Sequence, residues 1–156
     1  MEKVVSDNAD VMVLPPFVYG VAFVLGSVIH FLFPIVFLPT NPGRWLGVPL
    51  ILAAGLIVAS AFRALGRART AFDVRQPTTT IVTDGPFRYS RNPMYLSLTL
   101  LYMGLAVLIN SLWILLLILP VLSVIQNGVV KREEQYLERK FGEAYLRYRA
   151  QVRRWI

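Results

Sequence analysis

The chain has 156 residues, 56% of them hydrophobic, with no cysteine, one histidine and a formal net charge of +7. One domain's length at a mean hydropathy of +0.56 excludes an ordinary soluble domain and marks a membrane protein. The missing cysteines exclude disulfides, thiolate nucleophiles and Cys-ligated metals, and the lone His30 argues against a His-rich metal site or a Ser-His-Asp triad, so no metal is expected. In so apolar a chain the surplus of Lys and Arg points to anionic lipid head groups of the cytoplasmic leaflet rather than to nucleic acid.

Residues 1–14 are expected to form a frayed end or a surface helix. The segment ahead of the first apolar run, Glu2 to Asp10, is acidic rather than basic, so no cleavable signal is expected. Phe17 to Leu38 carries no formal charge and, at about 1.5 Å per residue, is long enough to cross a hydrocarbon core of about 30 Å. Pro34 is predicted to kink this helix, and His30 to hydrogen-bond to a neighbouring helix. Leu38 to Arg44 is a connection rich in helix breakers, with Trp45 placed as an interfacial anchor. The second helix is predicted over 45–65. Its Gly47, Ala53, Ala54, Gly55, Ala59, Ser60 and Ala61 allow close backbone approach and predict a place inside the bundle.

The polar segment 66–92 is the stretch that apolar burial does not explain. From Thr83 to Tyr95 it sets turn formers, two arginines and three aromatics between hydrophobic runs, and it reads as an active-site loop. Asp84-Gly85-Pro86 predicts a turn, since Gly accepts positive φ and Pro fixes its own. Asn92-Pro93 predicts a helix start, with Asn as the capping residue and Pro giving up a donor that had no partner. The loop thus delivers Arg91, Asn92 and Tyr95 to the mouth of the next helix. A plain basic loop between two membrane helices fits the same residues.

The third helix is predicted over 93–109, Asn110-Ser111 makes a hairpin, and a fourth helix over 112–130, interrupted by Pro120, forms an antiparallel pair with the third. The segment 63–92 holds six arginines and the tail from Lys131 holds eight Lys and Arg, whereas the connections at 39–44 and 110–111 hold only Arg44. The predicted fold is therefore all-α: one domain forming an integral membrane bundle of four transmembrane helices, with both termini, the loop and a C-terminal amphipathic helix cytoplasmic. So bare a four-span chain suggests a bacterial inner membrane protein. In the tail, Val130, Glu134, Leu137, Phe141, Tyr145, Tyr148 and Val152 recur at helical spacing, with a break expected at Gly142. The aromatics of that stripe read as an amphipathic helix lying on the membrane. Glu133 and Glu134 read differently, because a carboxylate near the bilayer demands a partner.

Gly85-Pro86-Phe87-Arg88-Tyr89-Ser90-Arg91-Asn92-Pro93-Met94-Tyr95, followed by Glu133-Glu134-Gln135-Tyr136-Leu137 and Phe141-Gly142-Glu143-Ala144-Tyr145-Leu146-Arg147-Tyr148, resembles the isoprenylcysteine carboxyl methyltransferase and phospholipid methyltransferase superfamily. The resemblance implies a membrane enzyme that moves the methyl of S-adenosylmethionine to a lipid-borne or apolar acceptor, a membrane lipid or an isoprenoid-bearing substrate. It further implies that Thr79, Thr80, Ile81, Val82, Gly85 and Phe87 lie along the cofactor, that Asn92, Pro93, Met94 and Tyr95 close over it, and that Glu133 binds it. Arg91 and Glu134 are implied as close supports, with Arg91, Asn92 and Tyr95 nearest the chemistry. Two positions depart from the isoprenylcysteine enzymes' pattern: Asn92 stands for a His, and Val129 for an Arg that meets the substrate carboxylate, which weakens the case for carboxyl methylation. Membrane reductases of the steroid type, which use NADPH, carry a similar Arg-x-Pro-x-Tyr block but continue with Gly-Glu where this chain has Leu96-Ser97. A scaffold that binds anionic lipid without catalysis is the third possibility.

Overall fold

The structure, a computed structural model, describes residues 11–39, 41–70 and 76–156. Among these residues all regular structure is helical: α1 Pro15–Leu32, α2 Asn41–Arg44, α3 Gly47–Arg67, a 3-10 turn Gly85–Arg88, α4 Pro93–Ile109, α5 Leu112–Leu116, α6 Ile118–Ile125, a π turn Gln126–Val130, α7 Lys131–Phe141 and α8 Glu143–Gln151. Three helical runs are long and apolar enough to cross a membrane: α1, α3 and the continuous run Leu112–Phe141. The run Pro93–Ile109 is apolar but shorter. The predicted surface element at 1–14 lies outside the described residues up to position 10.

The first helix stops at Leu32 instead of being kinked at Pro34. Phe33 leaves helical space (φ −135, ψ 77) because a residue before proline is pushed out of the α region. The chain that follows is held by the hairpin after α4. Trp113 Nε1 donates to Phe33 O at 2.7 Å, Leu112 N to Ile35 O at 3.0 Å, and Asn110 Oδ1 accepts from Phe37 N and Leu38 N at 3.1 and 2.9 Å. Asn110 turns the hairpin in the left-handed region at φ 60, a conformation Asn tolerates better than most residues. These bonds define one rim of the bundle, the far rim.

At the other end Met12 N donates to Gly128 O at 3.3 Å, so α1 starts where the last long helix emerges. The four apolar runs therefore alternate in direction, and the segments 76–92 and 131–156 share the second rim. α4 is the central element, with α3 packed along one side and α1, α5 and α6 on the other. α3 does not sit inside the bundle as its small residues suggest: Ala54, Ala61 and Ala64 are buried, whereas Leu52, Leu56 and Phe62 on its other face are exposed. α3 and α4 approach most closely where Gly47 meets Gly104, whereas Gly55 faces outward and Ser60 and Ala64 face Gly85.

The core joins Tyr19, Tyr95, Tyr102, Ala106, Ile114, Ile118, Val121, Ile125, Val129 and Val130. Thr99 Oγ1 donates its one proton to Tyr95 O at 2.8 Å, so Tyr19 is the donor in the 2.7 Å contact between its hydroxyl and Thr99 Oγ1. His30 does not make the expected helix-to-helix bond through Nδ1, which is buried without a partner among the described residues. The interruption predicted at Pro120 falls at Leu117, between α5 and α6.

The α3–α4 seam yields a paired test. A Cβ added at Gly104 would lie 2.7 Å from Ile51 Cγ1 and 2.9 Å from Gly47 O, while one at Gly55 meets nothing within 4 Å. Gly104→Leu should destabilise the purified protein in micelles by about 1–3 kcal/mol, read as a lowered unfolding midpoint. Gly55→Leu should leave the midpoint unchanged.

Candidate active site

The second rim is assembled by a loop that folds back over α7. Thr78 N donates to Tyr136 Oη at 3.2 Å, and Thr79 is tied to the end of α3 through Thr70 Oγ1 at 3.1 Å and Arg69 O at 3.3 Å. Asp84 accepts from Arg67 at 2.8 Å. Gly85 takes positive φ (57) as its turn requires and faces Ala64 and Ser60 of α3. The 3-10 turn follows, and Ser90 Oγ then accepts from the Asn92 backbone N–H at 3.1 Å. Pro93 opens α4 as predicted, but the Asn92 side chain does not cap it. Its Nδ2 donates instead to Arg154 O at 2.9 Å.

Two carboxylates on adjacent positions of α7 meet this loop in different ways. Glu134 is 8% exposed and lies between two guanidinium groups. Arg91 Nη1 is 3.0 Å from its Oε1, and Arg154 donates to both oxygens, from Nε to Oε1 at 2.9 Å and from Nη2 to Oε2 at 2.7 Å. Glu133, only partly covered, accepts at Oε2 from the Tyr95 hydroxyl at 2.9 Å. Arg91 Nη1 also donates to the Tyr145 hydroxyl at 3.4 Å, and the Tyr148 hydroxyl donates to Phe87 O at 2.8 Å. Arg91 Nε is buried with no partner among the described residues.

The electrostatics divide the pair. Glu133 lies in the charged last section, from Lys131, of the long run Leu112–Phe141. Arg154 is held charged by its bonds to Glu134, which raise its pKa further. Burial raises the Tyr145 and Tyr148 hydroxyls, in Tyr145 with help from the Glu134 charge, so both stay neutral hydrogen-bonding groups. No general base of the histidine type is present in this cluster. The arrangement is suited to binding and orienting a ligand that carries charges of both signs.

Of the residues singled out in the sequence, Arg91, Asn92, Tyr95, Glu133 and Glu134 come together, and Pro93 is buried at the start of α4. Phe87 is half-buried and gives its carbonyl to Tyr148. Met94 is half-buried on the first turn of α4. Thr79 bonds toward the end of α3 rather than toward the carboxylates, and Gly85 faces α3. No hydrogen bond among the described residues joins Thr80, Ile81 or Val82 to the cluster, although Val82 is buried. Val129 is fully buried in the core.

Two expectations for the tail are corrected. Tyr145 and Tyr148, taken as aromatics of a membrane-lying face, are 1% and 8% exposed because they lie beneath the loop and bond to it. Val152 does not continue the helical stripe: the helix ends at Gln151 and Val152 is extended (φ −120, ψ 131). The expected break at Gly142 is present, at φ 51. Arg154, which completes the cluster, was missed, since an Arg in a basic tail looks like any other rim charge. Among the described residues no group of three or more His, Cys, Asp or Glu side chains is placed to hold a metal ion.

Comparison with known proteins agrees with the geometry. Residues 42–144 match the phospholipid methyltransferase family, a span that holds the loop, α4 and both glutamates. An uncharacterized protein of Haemophilus influenzae is 40% identical over 63 residues, which is 40% of this chain and 100% of that protein. The cobalt-zinc-cadmium resistance protein CzcN of Cupriavidus metallidurans is 28% identical over 102 residues. That match takes in 65% of this chain and 46% of CzcN, so the chain spans a little under half of that relative's length. No solved structure matches. With two-thirds of its length inside the family's span and the family's paired blocks meeting at one rim, the chain belongs to the phospholipid methyltransferase family, within the isoprenylcysteine and phospholipid methyltransferase superfamily.

Proposed function

We propose that this chain is an S-adenosylmethionine-dependent methyltransferase with four membrane crossings, whose site lies at the cytoplasmic rim and acts on a lipid-borne or isoprenoid-bearing acceptor. The observation that carries it is the meeting of two segments about forty residues apart in the chain, through the Arg91–Glu134 ion pair at 3.0 Å and the Tyr95–Glu133 hydrogen bond at 2.9 Å.

The donor set fits the cofactor. Its amino acid portion needs an anionic and a cationic partner, and its ribose needs acceptors. Arg91 has a buried Nε with no described partner, suited to a carboxylate. Glu133, whose described hydrogen-bond partner is Tyr95, is suited to the amino group or the ribose hydroxyls. Phe87 and Tyr95 supply aromatic surface for adenine or the thioether chain. When bound, S-adenosylmethionine supplies a methyl group on a sulfonium for in-line displacement by a nucleophile. The protein's part is alignment and exclusion of water rather than strong acid or base catalysis, which suits a cluster without Cys or His. Tyr95 holds Glu133, Asn92 ties the start of α4 to Arg154 O, and Tyr148 fixes the loop at Phe87. With Val129 fully buried where the isoprenylcysteine pattern has an Arg, that position offers no cation for an acceptor carboxylate. This favours an uncharged or amine-bearing lipid. The exposed Arg88, Arg139, Arg147 and Arg153 would face anionic head groups at the same rim.

Glu133→Gln should weaken S-adenosylmethionine binding by about tenfold or more, as expected for loss of charge-assisted hydrogen bonds, with helical content unchanged. An unaltered affinity in a calorimetric titration removes Glu133 from the site. Incubating the purified protein with methyl-labelled S-adenosylmethionine and total membrane lipid should label a lipid. Thermal stabilisation by NADPH but not by S-adenosylmethionine would instead identify a reductase. Because the chain has no cysteine, sidedness can be read without background. Arg88→Cys and Arg147→Cys should react with an impermeant thiol reagent only from the cytoplasmic face, and Pro39→Cys only from the opposite face.

A further inference from the structure

The family's span ends at residue 144, but the cluster does not. After α8 the chain turns extended at Val152 and runs beneath the loop. Arg153 O accepts from the Arg91 N–H at 3.0 Å. Arg154 O accepts from Asn92 Nδ2 at 2.9 Å and from Ser90 Oγ at 3.4 Å. Trp155 Nε1 donates to Gln126 Oε1 at 3.1 Å, and its ring packs against the apolar core. Residues 152–156 thus form a strap that joins the loop to the π turn and to α7.

The chemical role of the strap follows from how Glu134 is shared. Arg154 makes a fork to both of its oxygens, at 2.9 and 2.7 Å, the geometry in which a carboxylate is best satisfied by one guanidinium. Arg91 meets one oxygen of Glu134 through Nη1, while its Nε stays buried with no partner among the described residues. A buried donor without a partner is costly, and the edge of the Glu134 carboxylate at which a guanidinium closes a fork is already taken by Arg154. We propose that Arg154 is a positioning residue: by occupying Glu134 it keeps Arg91 from closing a fork of its own and holds that guanidinium available to a ligand carboxylate. This inference rests on the cofactor assignment above, where the ligand carboxylate is that of the methionine portion.

Two measurements on the full-length protein in micelles separate the strap's role from that assignment. Arg154→Ala should weaken S-adenosylmethionine binding by about tenfold while leaving the affinity for 5′-methylthioadenosine, which lacks the amino acid portion, unchanged. Arg154→Lys should recover only part of the loss, because an ammonium cannot reproduce the fork. With Glu134→Gln already in place, Arg154→Ala should cost little more. Equal weakening of both ligands, or none, overturns the proposal. Hydrogen exchange supplies the second arm without any ligand: Arg154→Ala should speed exchange of the Arg91 and Asn92 amides by about tenfold or more and leave α3 unaltered, and unchanged exchange at those amides overturns it too. If the unsubstituted protein binds neither nucleoside, the cofactor assignment and the ligand role built on it fail, and the exchange arm alone decides whether Arg154 holds the loop.

Discussion

The Glu134 carboxylate between Arg91 and Arg154 is the interaction on which the rim depends. It is nearly buried, and a buried carboxylate is tolerated only when its charge and its lone pairs are both met. Each guanidinium comes from a different stretch of chain, Arg91 from the loop before α4 and Arg154 from the strap after α8, while Glu134 rides on α7. One side chain therefore joins three segments that the helix bundle alone would leave as separate ends. Losing one guanidinium leaves Glu134 paired with the other, so the junction loosens without coming apart, and the order of the three segments is coupled through one side chain.

Around that junction the remaining groups are arranged for holding rather than for proton transfer. Tyr95 bonds to Glu133, Tyr145 to Arg91, and Tyr148 to the Phe87 carbonyl. The two hydroxyls outside the apolar runs, those of Tyr145 and Tyr148, are pushed up by burial and keep their protons. A phenol that stays neutral is a fixed dipole, useful for orienting a carboxylate or a guanidinium without competing for charge. Adjacent glutamates are thereby given unlike tasks: Glu134 is locked into structure, and Glu133 keeps an oxygen with no described partner at the edge of the cluster.

How much of this is legible in the sequence differs from part to part for physical reasons. The apolar runs, the Asn110 hairpin, the Gly85 turn and the Pro93 helix start are local, and the residues that dictate them are the residues that form them. The pairing of Arg91 with the α7 glutamates was reachable because a carboxylate near a bilayer demands a partner and the loop holds arginines on the same side by charge count. Pro34 was misjudged because a proline near a helix end either bends or stops the helix. The deciding factor is whether outside donors take up the freed carbonyls, here Trp113 and Leu112 from the hairpin after α4, far along the chain. Tyr145, Tyr148 and Arg154 were misread or missed because an amphipathic face has no address: the same pattern suits a lipid surface and a polar loop. Only the fold of 76–92 over the tail decides between them.

One further consequence lies in the π turn at Gln126–Val130. A π turn takes in an extra residue, which rotates everything beyond it by about 100° relative to an uninterrupted helix. Upstream of it Val121 and Ile125 face the core; downstream Glu134 and Tyr136 are turned under the loop. The helix is in effect geared at this point, and its two halves keep separate phases. Lipid-facing positions such as Leu119 and Val124 are free to drift through conservative exchange without re-aiming the carboxylates. Gain or loss of a single residue between 126 and 133 would swing both acids away from Arg91 and Tyr95 at once, so in this stretch length is under tighter constraint than composition.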